Sequence, residues 1–263
     1  MSDVLCLYHA NCTDGFAAAW VLHRFLPEAE FIPARHGDPP PDVTGKCVYI
    51  VDFSYPRATL LEMKEKAQSL VVLDHHKTAQ KELEGLDFCH FDMSRSGAMM
   101  AWDYFAEGVA APWILPYVQD RDLWKWELEN SKAVNAFIGS IPMNFMAWDY
   151  ALHTTSPAGA IMSGQAILKN IAQQVSLVQS YATEIELSGF TVPYANSPIY
   201  QSEIGHELCQ GKPFAIVWYF DGKKFVYSLR SDEDGVDVSE IAKTFGGGGH
   251  KHAAGFSTQI LLI

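Results

Sequence analysis

VVLDHHKTAQ, residues 71–80, runs aliphatic residues directly into an acid and two consecutive histidines. The aliphatic half reads as the end of a strand buried on both faces. The polar half gathers groups that compete for protons and cations. Two other stretches repeat the arrangement: VLCLY (4–8) is followed by His9, Asn11 and Asp14, and CVYIV (47–51) is followed by Asp52. Between the runs lie helical patterns, FAAAWVLHRFL (16–26) and ATLLEMKEKAQ (58–68). Short apolar runs alternating with helices predict a parallel α/β sheet with right-handed crossovers. Ligands of such sheets bind beyond the carboxyl ends of the strands, so the residues following each run decide the chemistry.

Read that way, His9, Asp14, Asp52, Asp74, His75 and His76 face one crevice. Asp120 and Asp122, which follow the apolar segment APWILPYV (111–118), join them. Carboxylates brought together without compensating cations repel one another and raise their own pKa values. A pair of divalent ions removes that cost. Carboxylate with imidazole suits manganese, zinc or iron, and an oxygen-rich set suits manganese or magnesium. Two such ions about 3.5–4 Å apart polarise a phosphoryl oxygen and lower the pKa of a water for in-line attack, which points to phosphoester or phosphoanhydride hydrolysis. Plainer roles exist for the same residues: an Asp after a strand also caps the next helix, and Asp120 and Asp122 serve equally as partners of Arg121.

The 263 residues, 48% of them hydrophobic, are enough for a sizeable core in one large domain or two ordinary ones. The five cysteines, Cys6, Cys12, Cys47, Cys89 and Cys209, are odd in number and lack CxxC spacing. That excludes a disulfide framework or zinc finger and makes a reducing cytoplasm the expected compartment. The first residues lack the basic region of a signal peptide, and no run of about 18 apolar residues occurs, so no membrane partner is expected. A net charge of −12 opposes binding of a long polyanion, because non-specific nucleic-acid affinity comes from basic surface. A phosphate substrate should therefore be small.

From residue 94 to about 181 the pattern is mainly helical, and the longest such stretch is 157–181. Strand signals return in GFTVPY (189–194), PFAIVWYF (213–220) and KFVYSLR (224–230), with Asp221-Gly222 placed for a hairpin. The expected organisation is a catalytic domain over 1–155, a connecting helix over 156–184, and a smaller α/β domain over 185–263. FGGGGHKHAAGF (245–256) closes the second domain. Glycines leave backbone N–H groups free to turn toward an anion, so Gly247, Gly248, Gly249, His250 and His252 are candidate phosphate contacts. The alternative is a simple turn between a helix and a strand. Arg230, ending KFVYSLR, offers a bidentate phosphate contact. Arg95, in DMSRSGAMMAW (92–102), is a candidate substrate contact, whereas Ser94 and Ser96 in the same stretch also fit a helix cap.

HANCTDG (9–15), Asp52 in VDFS, Asp74-His75-His76 and Asp120 in VQDRD stand in the order of the four motifs of the DHH phosphoesterase superfamily, which the chain resembles. GGGGHKHAAGF, with VYSLRS upstream, resembles the DHHA1 substrate domain of that superfamily. The resemblance covers nearly the whole chain and implies an α/β protein with a DHH domain, a DHHA1 domain and a cleft between them. It further implies two Mn²⁺ ions, with Mg²⁺ or Co²⁺ as substitutes, and hydrolysis of short oligoribonucleotides or dinucleotides to 5′-mononucleotides. Polyphosphate or pyrophosphate cleavage, or nucleotide binding without catalysis, are the rival activities; a homodimer is left open. By resemblance, His9 ligates one ion and Asp14 the other, Asp52 bridges them, and His75 and Asp120 complete the second site. Asp74 orients a ligand and His76 faces the substrate phosphate. The chain departs from the family in its first motif, where an acid two residues before Asp14 is replaced by Cys12. Cys12 as a thiolate ligand, Asn11 or water in its place, and a weakened first ion are the three readings.

Overall fold

The computed structural model describes residues 3–262. The chain forms two compact units, one reaching to Leu168 and the other running from Lys169.

The first unit is built on β1 (Val4–His9), α1 (Thr13–Phe25), β2 (Glu30–Ala34), β3 (Cys47–Val51), α2 (Arg57–Lys66), β4 (Ser69–Asp74), α3 (Lys77–Glu82) and β5 (Cys89–Phe91). Five helices follow: α4 (Gly97–Phe105), α5 (Ile114–Asp122), α6 (Ser131–Ser140), α7 (Phe145–Thr154) and α8 (Pro157–Gln179). All strand pairs are parallel, in the order β2-β1-β3-β4-β5. The apolar runs are continuous because both faces are covered. Leu5, Leu7, Val48, Ile50, Leu70 and Val72 pack with Leu60 and Met63 of α2. On the opposite face Cys6, Val51 and Leu73 pack with α1 and α4. Ala17, Ala18 and Ala19 are fully buried, and their small side chains let α4 come close to α1.

Two strands of this unit escaped the sequence reading. The β2 sequence EFIPA carries Pro33, which a sheet accepts only at an edge, and β2 is an edge strand. At three residues, β5 is too short to show alternation. Because β1 lies between β2 and β3, the winding of the sheet reverses there, which opens a crevice at the carboxyl ends of β1 and β3.

The division between the units falls inside α8. In the second unit, Ile171, Val175 and Val178 of this helix pack against Ala195, Ile204 and Val217. There follow β6 (Thr183–Leu187), β7 (Phe190–Asn196), α9 (Gln201–Leu208), β8 (Ala215–Phe220), β9 (Phe225–Arg230), α10 (Val238–Thr244), β10 (Gly248–His250) and β11 (Ala253–Thr258). The sheet is mixed, in the order β10-β11-β9-β8-β7-β6. The β8–β9 hairpin closes as expected: the Asp221 carboxylate accepts from the N–H of Lys223 and of Lys224, each at 2.8 Å, and Gly222 adopts φ +96°. Among the described residues no helix is long and apolar enough to cross a membrane.

Candidate metal centre

His9 ends β1, Asp52 follows β3 directly, and Asp74 ends β4 with His75 and His76 next. The parallel register thus carries all five to one rim of the sheet. Asp14 arrives from the first turn of α1. Asp52 has φ +54°, a left-handed conformation that Asp tolerates better than most residues and that re-aims the chain as it leaves the sheet. Its N–H still donates to the Leu73 carbonyl at 2.9 Å.

The side chains converge. His75 Nε2 lies 3.1 Å from Asp52 Oδ1, 3.4 Å from Asp122 Oδ2 and 3.7 Å from Asp14 Oδ2. His9 Nδ1 lies 3.5 Å from Asp52 Oδ2. Among the groups of donors whose ligand atoms lie within 4.8 Å of one another are His9–Cys12–Asp52 and Asp14–His75–Asp122, and Asp52 also groups in this way with Asp74 and His76. Two glycines are required for this. A Cβ on Gly15 would sit 2.4 Å from the His9 carbonyl oxygen, and one on Gly97 would sit 2.5 Å from Asp52 Cβ. Gly97 and Ala98, at the start of α4, donate their N–H groups to Asp14 at 2.6 and 3.1 Å, so a helix N-terminus faces that carboxylate.

Asp74 has a different environment. One oxygen accepts from the N–H of His75 at 2.8 Å and meets His76 Nδ1 at 2.6 Å; the other accepts from Ser54 Oγ at 2.5 Å. With its capacity used in this way, Asp74 fixes the ring of His76 through Nδ1. His36, on the turn after β2, stacks obliquely on Phe53 at 4.8 Å and lies 5.7 Å from the ring of His9. Since β2 was not legible, neither was a residue placed by it.

Burial opposes ionisation of Asp52, but the imidazoles of His75 and His9 hold its pKa well below the carboxylate range. Asp14 is pushed well above that range by burial and by the charges of Asp122 and Asp52. Burial also raises Asp122. For His75, burial favours the neutral ring, yet Asp122 and Asp52 carry its pKa to about 10. The cluster is short of positive charge. Asp52 Oδ2 and Asp122 Oδ2 are moreover buried without accepting a hydrogen bond from any described residue, as is His9 Nδ1 without a bonding partner. Each such buried group costs roughly 1–3 kcal/mol, more when charged, unless something binds it. Carboxylate and imidazole atoms left unbonded and pointing at one another fit divalent cations.

Asp120, expected at the second ion, belongs to none of these groups. Its carboxylate accepts from the N–H of Glu127 at 3.0 Å and of Leu128 at 3.3 Å and so pins the loop after α5. The segment is a helix, and residues two apart on a helix diverge by about 200°. Asp122 instead continues the inward stripe of Ile114 and Val118 at i+8 and i+4 and reaches His75. Reading ILPYVQDRD with helical period distinguishes the two acids.

Several of the remaining candidates have partners among their neighbours. Arg95 forms an ion pair with Asp103, and Ser96 caps α4 by accepting from the Met99 N–H. Arg230 donates to the Leu229 carbonyl at 2.8 Å and to Ser202 Oγ at 2.7 Å. His252 Nδ1 lies 3.0 Å from Ser231 Oγ. In the glycine run, Gly248 and His250 belong to β10, and a Cβ on Gly247 or Gly249 would come within 2.1 and 2.6 Å of β11 carbonyl oxygens.

Residues 207–260, spanning this run, match the DHHA1 domain. Over these residues the chain belongs to the DHHA1 family. Protein R106 of Acanthamoeba polyphaga mimivirus is 30% identical over 95% of this chain, which spans 66% of the length of that relative. The fold is shared with the pGpG-specific phosphodiesterase PggH of Vibrio cholerae at a TM-score of 0.51, with 14% identity over 98% of this chain and 93% of that one. RecJ of Thermus thermophilus, in complex with Mn²⁺, gives a TM-score of 0.51 with 15% identity over 97% of this chain and 49% of its own. The DHHA1 match lies in the C-terminal mixed sheet, and the fold shared with PggH and RecJ includes the N-terminal parallel sheet as well.

Proposed function

We propose that the protein is a metal-dependent phosphodiesterase that cleaves short oligoribonucleotides or dinucleotides to 5′-mononucleotides. The observation that carries this reading is the convergence of Asp14, Asp52, His75 and Asp122 at the β1/β3 crevice, with buried oxygens of Asp52 and Asp122 left unbonded. Two divalent ions held there, Mn²⁺ being the first choice, would supply a polarised phosphoryl oxygen and a water of lowered pKa. Asp52, with Oδ1 3.1 Å from His75 Nε2 and Oδ2 3.5 Å from His9 Nδ1, would supply a ligand oxygen toward each histidine. Asp74 holds the ring of His76 through Nδ1, and His76 is assigned to the substrate phosphate within this reading.

The net charge of −12 restricts the substrate to a few nucleotides. Arg230, His250, His252 and the glycine run of the DHHA1 unit are assigned to substrate contact within this reading, and Arg95 to the same role in the DHH unit. PggH, which is specific for pGpG, shares the fold, and this favours dinucleotides as the first class to try. The test is turnover of di- to pentanucleotides beside tripolyphosphate with Mn²⁺, Mg²⁺ and Co²⁺, read by product chromatography. Release of 5′-mononucleotides from the shortest substrates is expected. Cleavage of tripolyphosphate alone would replace this reading with a polyphosphatase, and no metal-dependent turnover of either would remove it.

A further inference from the structure

The two groups of ligands differ in one atom type. His9, Cys12 and Asp52 offer nitrogen, sulfur and oxygen; Asp14, His75 and Asp122 offer only nitrogen and oxygen. Cys12 differs from the chain's buried cysteines. Cys6 lies inside the first unit's apolar core, whereas Cys12 is partly buried, outside every apolar cluster, and within the field of Asp52, Asp122 and Asp14. A thiol packing as a small hydrophobe does not choose three carboxylates as neighbours. Cys12 also occupies the N-cap of α1, where the helix dipole favours a thiolate once the proton is lost. An independent feature marks the same spot as a ligand site: Asp52 is 1% exposed, and its Oδ2 is buried with no hydrogen bond.

We propose that the metal centre is chemically unequal: the half built on His9, Cys12 and Asp52 binds a thiophilic ion, Zn²⁺, Co²⁺ or Fe²⁺, through the Cys12 thiolate, while the half built on Asp14, His75 and Asp122 takes a harder ion such as Mn²⁺ or Mg²⁺. Thiolate selects softer ions, and carboxylate selects harder ones. On binding, the Cys12 S–H bond breaks, a metal–sulfur bond forms and the proton leaves to solvent; no electron is transferred. This inference rests on the metal centre of the proposed function and specifies which ion each half prefers.

The test is spectroscopic. Metal-free full-length protein titrated with Co²⁺ should develop a thiolate-to-cobalt charge-transfer band in the near ultraviolet. Cys12→Ser should lose that band while keeping the visible bands of cobalt in the other half, and its preference for Zn²⁺ over Mn²⁺ in competition dialysis should fall by at least about tenfold. Cys12→Asp should also lack the band but still bind two ions, which separates loss of sulfur from loss of the site. Asp122→Asn should retain the band. Thermal melts of each variant establish that it is folded. A charge-transfer band that survives in Cys12→Ser, or a wild-type protein that binds cobalt without one, overturns the proposal. If wild-type protein cleaves dinucleotides and binds two ions without a sulfur signature, only this inference falls; if it binds no divalent ion, the proposed function falls with it.

Discussion

The two sheets treat their polar residues in opposite ways. At the rim of the parallel sheet, Asp52 and Asp122 keep buried oxygens without hydrogen-bond donors, and Asp14, Asp52 and Asp122 all approach one imidazole. In the mixed sheet, Arg230 is tied to Ser202 and Leu229, His252 lies against Ser231, and Gly247 and Gly249 are glycines because β11 leaves no room for a Cβ. A polar group used by its own fold costs little; one left unbonded in the interior costs about 1–3 kcal/mol and survives selection when a ligand uses it. The contrast supports the first unit as the seat of the proposed metal centre. It gives the glycine run a packing reason of its own, alongside the proposed contact with substrate.

The sharpest way to break the comparison is to exchange the two acids of α5. Asp122→Ala should remove one bound ion, weakening its binding by more than about 100-fold, since even residues that only orient metal ligands are worth 10–100-fold. Isothermal titration with Mn²⁺ would show it. Asp120→Ala should leave ion stoichiometry unchanged and cost roughly 1–3 kcal/mol of stability in urea, because the N–H groups of Glu127 and Leu128 lose their acceptor. Equal loss of metal in both variants would mean that the helical assignment of the site is wrong.

Asp74→Asn comes next, with activity or metal affinity falling about 10- to 100-fold while the fold is kept. Here the loss is of orientation: His75 N–H, His76 Nδ1 and Ser54 all lean on this carboxylate. Gly247→Ala should act on the other side of the comparison. A Cβ 2.1 Å from the Gly255 carbonyl oxygen overpacks the β10–β11 turn, costing about 1–3 kcal/mol in denaturant melts, with no change in the number of ions bound. The smallest effect is on pH dependence. The ligands must shed protons to bind metal, and His75 holds one up to about pH 10, so affinity should rise as pH increases from 6 to 8. Dialysis against Mn²⁺ at several pH values checks the sign.

The first unit was largely legible because its strands are buried on both faces and its polar residues follow them without a gap, as in VVLDHH. Where the reading stopped, three-dimensional neighbours decide the outcome. Asp120 and Asp122 are separable only once residues 114–122 are recognised as a helix, since a strand would turn both to one side. Gly97 lies 45 residues beyond Asp52 in the chain, yet its missing side chain is what lets α4 reach Asp14 and Asp52. His36 follows an edge strand broken by Pro33, a pattern that reads as loop. In the second unit the hairpin at Asp221-Gly222 was visible in its turn residues. β6 (TEIEL) was not, because its alternating acids look like the end of the preceding helix.

Anomalous diffraction from crystals of the full chain grown with divalent metal tests the central claim most directly. Two peaks, both touching Asp52, with His9 and Cys12 at one and Asp14, His75 and Asp122 at the other, are the predicted result. A fully loaded crystal with no peak at Asp52, or with its ions bound elsewhere, would contradict the account.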